Sequence, residues 1–94
     1  MTITASELAA VFPANAVARE VLEEVAEATG TTVAQLKGPT RLRHIARARQ
    51  LAMFKLREAG LTVARIGAIL NRDHTTVIYG CQRIEALMAE AGAA

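Results

Sequence analysis

Every apolar-periodic stretch of this 94-residue chain lies between a residue that starts a helix and one that stops it. The intervals leave room only for short, packed helices. Thr4 and Glu7 have capping-box spacing and open a short helix that ends before Pro13. Asn15 is read as the cap of AVAREVLEEVAEATG, whose stripe is Val17, Val21 and Val25 with Leu22 alongside, and Gly30 stops it. Thr32 and Gln35 form a second capping box, starting a short helix through Leu36 that Gly38-Pro39 breaks. Thr40 is read as the cap of a long helix closed by Gly60, with Ile45, Ala52, Leu56 and Ala59 facing the core. Thr62 caps VARIGAIL, and Asn71-Arg72 makes a tight connection. Asp73 caps a last helix with Val77, Cys81, Ile84 and Met88 as its stripe. No strand pattern, internal repeat or low-complexity linker interrupts the series. The expectation is one all-α domain over 1–94, a bundle of about five to six helices.

The apolar half of the composition is mostly Ala, Leu, Val and Ile, with only Phe12, Phe54 and Tyr79 aromatic. Such side chains suit close helix packing, and there are too many of them for a disordered chain. Cys81 is the sole cysteine, so an internal disulfide is excluded. No apolar run approaches the roughly 18 residues of a spanning helix, and no signal-peptide pattern opens the chain. The expected location is therefore the cytoplasm, at the nucleoid, with no membrane partner.

The charge is sharply divided. Residues 1–36 carry one basic side chain, Arg19, against five acidic ones. Residues 37–94 carry ten basic against four acidic, and 37–57 hold seven basic residues with no acid among them. Merely soluble helices tend to alternate signs. A one-sided field of this kind attracts polyanions and speeds their association. Arg41, Arg43, Arg47, Arg49 and Arg57 are expected on the surface of the long helix and its approach.

A two-turn helix, a tight turn and a longer helix over 62–90 make a helix-turn-helix, in which the first turn of the second helix meets base edges. Those positions are Asp73, His74, Thr75 and Thr76. Aspartate accepts from cytosine N4, histidine donates to purine acceptors, and threonine bonds a base edge or offers its methyl to thymine. A helix N-terminus also favours phosphate nearby.

The run RHIARARQLAMFKLREAG, followed by TVARIGAILNRDHTTVIYGCQRI, resembles the C-terminal duplex-binding domain, domain IV, of the bacterial replication initiator DnaA. The resemblance extends from about Val17 to Glu85. Its most specific parts are the Arg-Gln pair at 49–50 and the block 72–77. It implies a Trp-repressor-like helical fold and sequence-specific binding of double-stranded DNA at replication-origin-type boxes. Residue by residue, it implies base reading by Asp73, His74 and Thr75 in the major groove and by Arg41 in the adjacent minor groove. It assigns Arg49, Gln50, Arg57, Thr62 and Thr76 to the phosphate backbone, and Val63 and Ala64 to thymine methyls. The chain departs from the family pattern at the short Leu70–Arg72 turn, where Asn71 stands in place of frequent glycines. It departs again in the short loop before Thr62, and at Leu42 and His44, where small polar residues are common.

The sequence contains no G-x-x-x-x-G-K-S/T loop, so no ATPase is expected of it. It reads as either an excised domain or, given Met1, a free-standing one. Catalysis is not expected, because consecutive helical residues point about 100° apart and Asp73-His74-Thr75 cannot form a relay. His44, His74 and Cys81 lack metal-ligand spacing, and no cofactor or small-molecule substrate is indicated. Without a heptad pattern the expected state is monomeric. Two other readings stay open: a helical adaptor whose basic face binds an acidic protein, and a helix-turn-helix regulator of unrelated type.

Overall fold

A computed structural model describes residues 14–93, so the expected helix between Thr4 and Pro13 lies outside the described residues. Among them are five helices and no strand: α1 (Ala14–Thr29), α2 (Val33–Lys37), α3 (Arg43–Glu58), α4 (Val63–Leu70) and α5 (His74–Ala93). The all-α expectation is met. α3 is the central element, packing most extensively along α5 and also against α1, α2 and α4.

The sequence caps explain most boundaries. Thr32 and Gln35 bond reciprocally, Gln35 N–H to Thr32 Oγ1 at 3.0 Å and Thr32 N–H to Gln35 Oε1 at 2.9 Å. Thr62 Oγ1 accepts from Arg65 N–H at 3.2 Å, and Asp73 Oδ1 accepts from Thr75 N–H at 3.2 Å. Each satisfies an amide that has no partner inside its helix.

Two caps fall elsewhere than expected. α1 already includes Ala14, so Asn15 lies in its first turn, and its Oδ1 accepts from Arg65 Nη2 at 3.3 Å. Thr40 does not cap α3, whose cap position is Leu42. The Thr40 hydroxyl instead accepts from Leu42 N–H, two residues on, at 3.3 Å. That local bond competes with helix capping and holds residues 38–42 outside the helix.

Three helices end by one device. Gly30 (φ 70°), Gly60 (φ 98°) and Asn71 (φ 55°) adopt the left-handed conformation. The next amide reaches back five residues each time: Thr31 to Ala26 at 2.9 Å, Leu61 to Leu56 at 3.2 Å, and Arg72 to Gly67 at 2.8 Å. Asparagine tolerates this conformation better than other side-chain-bearing residues. That is why it can stand where a glycine is more usual.

The expected apolar stripes are buried. Val17, Val21, Leu22 and Val25 of α1 join Leu36, Ala52, Leu56, Leu70 and Val77 in one core, with Ile45 buried beside them. Met88 departs from its stripe and is 55% exposed. It lines an open groove with Leu51, Ile84 and Leu87, where no described element covers it.

Two glycines set close approaches. A Cβ on Gly67 would collide with the carbonyl oxygen of Arg72, so the turn into α5 runs directly over α4. A Cβ on Gly80 would meet Met53 Sδ and Gln50 Cγ, so α5 crosses α3 there at short range.

Candidate nucleic-acid interface

The turn from α4 to α5 delivers Asp73, His74, Thr75 and Thr76 to the surface, all exposed. Val77 immediately behind them is fully buried and anchors the turn to the core. Asp73 Oδ1 accepts from Thr75 N–H and lies 3.2 Å from His74 Nδ1. One aspartate therefore caps α5 and places its carboxylate beside the His74 ring.

The remaining expected contact residues are distributed over α3, the start of α4 and the segment before α3. Thr62 and Ala64 are exposed and Val63 is half-buried at the start of α4. Gln50 is half-buried where α3 meets Gly80 of α5. Arg57 is exposed, but its Nη1 donates to Leu61 O at 3.3 Å and so braces the loop before Thr62. Arg41 is exposed in the 38–42 segment that leads into α3. Ile78 and Tyr79, not singled out in the sequence, are 40% and 63% exposed one turn beyond Thr75. Helical spacing from Thr75 to Tyr79 is the signal that would have found them.

Among the described residues no three metal-ligating side chains come together, and no helix is long and apolar enough to cross a membrane. Cys81 is buried, and its thiol is pushed up by desolvation, then by Glu85, against an opposing effect of Arg57. It is a core residue in an environment that disfavours the thiolate.

The sequence model of the bacterial dnaA protein helix-turn-helix matches residues 18–84. The chain belongs to the bacterial DnaA helix-turn-helix family. It is 43% identical over 72 residues to the chromosomal replication initiator protein DnaA of Picosynechococcus sp., covering 74% of this chain and 16% of that one. To the DnaA of Mycobacteroides abscessus it is 41% identical over 74 residues, covering 78% and 15%. The chain thus spans only about a sixth of the length of these relatives.

Within this DnaA-type domain one expected surface residue is not on the surface. Arg49 is 5% exposed. Its Nε donates to Leu36 O at 2.8 Å, and its Nη2 donates to Gln35 O at 3.0 Å and Gly38 O at 3.1 Å. These carbonyls lie at and just past the end of α2, and a planar guanidinium can gather several at once. Burial, and second the charge of Arg72, hold its pKa below the ordinary guanidinium value. The basic run misleads here because it reports composition and not direction. Arg49 faces inward and ties the end of α2 to α3, which corrects its expected placement as an exposed phosphate clamp.

Arg72, read from sequence only as part of a turn, has a comparable role. Its Nη1 donates to Leu70 O and Asn71 O, both at 3.1 Å, and its Nη2 donates to Gly38 O at 2.7 Å. Asn71 Nδ2 adds a bond to Lys37 O at 3.2 Å. The helix-turn-helix turn is therefore bonded to the segment that carries Arg41.

Proposed function

We propose that this chain binds double-stranded DNA sequence-specifically, at boxes of the kind a replication initiator recognises, and has no ATPase of its own. The observation that carries this reading is the first turn of α5. Four short polar residues stand exposed there, at the second helix of a helix-turn-helix of DnaA type.

In this reading the N-terminal turn of α5 enters the major groove. Asp73 Oδ2, His74 and Thr75 address base edges. Arg41 reaches the adjacent minor groove, and Val63 and Ala64 approach thymine methyls. Gln50, Arg57, Thr62 and Thr76 hold phosphates, with the positive end of α5 assisting. Arg49 leaves that set, since it is buried with its Nε and Nη2 bonded to carbonyls inside the bundle.

Selection of bound sequences from a random duplex pool tests the reading. A recovered motif, together with affinity that falls steeply with salt on any duplex, supports it. An unenriched pool with salt-insensitive binding rejects it. A second reading has one observation in its favour, the groove of about 430 Å³ lined by Leu51, Ile84, Leu87 and Met88. Apolar surface of this kind suits a protein partner. A domain that both reads duplex and docks a protein would satisfy both observations.

A further inference from the structure

We propose that Arg72 is a positioning residue that sets where Arg41 stands relative to the first turn of α5. It does so by holding the Gly38 carbonyl against the turn that enters that helix. The inference rests on the duplex-reading function proposed above and adds a residue to it that makes no base contact.

Arg72 directly precedes Asp73, so its backbone leads straight into the reading turn. Its side chain runs the other way, across 34 residues of sequence, to Gly38 O. Asn71 makes a parallel tie to Lys37 O. From below, Arg49 binds the same Gly38 carbonyl and the carbonyls of Gln35 and Leu36. Residues 35–38 are thereby fixed from two sides.

Arg41 follows Gly38 by three residues, a reach of at most about 11 Å even when fully extended. Pro39 stiffens that path by fixing its own φ. The far end is fixed as well, because Ala46 N–H bonds Leu42 O at 2.8 Å as α3 begins. Arg41 thus sits on a short span whose two ends are both held, and one end is held by the reading turn itself.

The arrangement carries a standing cost. Two guanidinium groups share one acceptor, and like charges at that range repel. Folded proteins retain such local conflicts where another requirement sets the geometry. Here that requirement is a fixed offset between a major-groove and a minor-groove reader.

The test uses the full chain and the site it selects from a random duplex pool. Affinity is measured for duplexes changed at each base pair in turn, with wild type, Arg41→Ala, Arg72→Ala and the double variant. Arg72→Ala is expected to flatten discrimination about fivefold or more at the positions that Arg41→Ala flattens, and to leave those governed by His74 unchanged. The double variant should show no further loss at those positions, because Arg72 acts only through Arg41. The salt slope on random duplex should match wild type for Arg72→Ala. Arg72→Met, which keeps the stem and removes every donor, stands in if the alanine variant melts too low to assay.

A salt slope reduced by about one unit would make Arg72 a direct phosphate contact and overturn the proposal. So would uniform loss across positions, additive loss in the double variant, or the absence of any position flattened by Arg41→Ala. Wild type that selects no sequence at all rejects the duplex-reading function itself. Wild type that selects a motif which Arg72→Ala reads unchanged rejects only the positioning role.

Discussion

Arg49 and Arg72 donate to the same oxygen, the carbonyl of Gly38, at 3.1 and 2.7 Å. One guanidinium comes from inside the bundle and the other from the turn that leads into α5. A single backbone carbonyl thus joins the bundle to the turn that enters α5.

Arg49 is the costlier of the two to remove. Arg49→Ala strands the buried carbonyl of Leu36, weakens the bonding of Gln35 O and Gly38 O, and deletes a packed stem. We expect a loss of about 2–4 kcal/mol in denaturant unfolding. Arg49→Lys should recover only part of it, since an ammonium cannot reproduce the planar fork. Stability within about 0.5 kcal/mol of wild type in the alanine variant would contradict the bonding described.

Asp73→Asn separates capping from its effect on His74. Asparagine caps a helix as well as aspartate does, so stability should change little. Removing the carboxylate takes a negative charge away from His74 and from the duplex. We expect tighter binding to random DNA and a flatter base preference. His74→Ala should cost about 1–3 kcal/mol on the preferred site and little on random duplex. Equal losses on both substrates would remove His74 from the reading set.

Arg57→Ala tests the proposed phosphate contact of that residue. Affinity should fall alike for all duplexes, and the salt slope should drop by about one unit. A change in base preference at a single position would assign Arg57 to a different role.

Gly67→Ala would drive a methyl into the Arg72 carbonyl, so the turn must shift. Overpacking of this kind costs about 1–3 kcal/mol, and the displaced α5 should lose base preference as well. At the next reversal, Asn71→Val should lose about 1–2 kcal/mol or more, because a β-branched residue is poorly suited to positive φ. Asn71→Gly relieves the backbone but gives up the bond to Lys37 O, and should fall near wild type. Thermal unfolding of the three variants, followed by binding assays, checks the order.

Cys81 supplies a probe of the core. The folded thiol is held above its ordinary value, so its contribution to stability is fully present below the unfolded thiol pKa of about 8.5 and declines as pH rises beyond it. Labelling by a neutral thiol reagent at pH 7 should proceed only as fast as the chain opens. Rapid labelling of the native protein would show that α5 is not seated as described.

The fold was legible in the sequence wherever its determinants are local. Thr32, Thr62 and Asp73 cap as their neighbours dictate, and the periodic residues of α1 and α3 are buried because a helix presents them on one side. Thr40 misled because its hydroxyl has a nearer partner in Leu42 N–H. Arg49 misled for the opposite reason: its partners are carbonyls 11 to 14 residues upstream, which no spacing rule associates with it. Gly67 and Gly80 left one trace, a glycine inside an otherwise good helix. That costs about 1 kcal/mol and so asks for a packing reason.

The chain reversals Gly30-Thr31-Thr32, Gly60-Leu61-Thr62 and Asn71-Arg72-Asp73 are built alike: a left-handed residue, an amide that bonds five back, and a position just ahead of the next helix. Three residues leave no slack between one axis and the next. The angle at which α5 departs is therefore written into the joint itself, as in a mitred corner, with the bonds to Lys37 O and Gly38 O holding the corner in place. Lengthening the joint at 71–73 by one residue would re-aim the whole of α5. Extra length between Pro39 and Arg41 would loosen a tether and leave every helix direction unchanged. An inserted residue in the first place should therefore disturb reading along all of α5, and one in the second only the offset at which Arg41 stands.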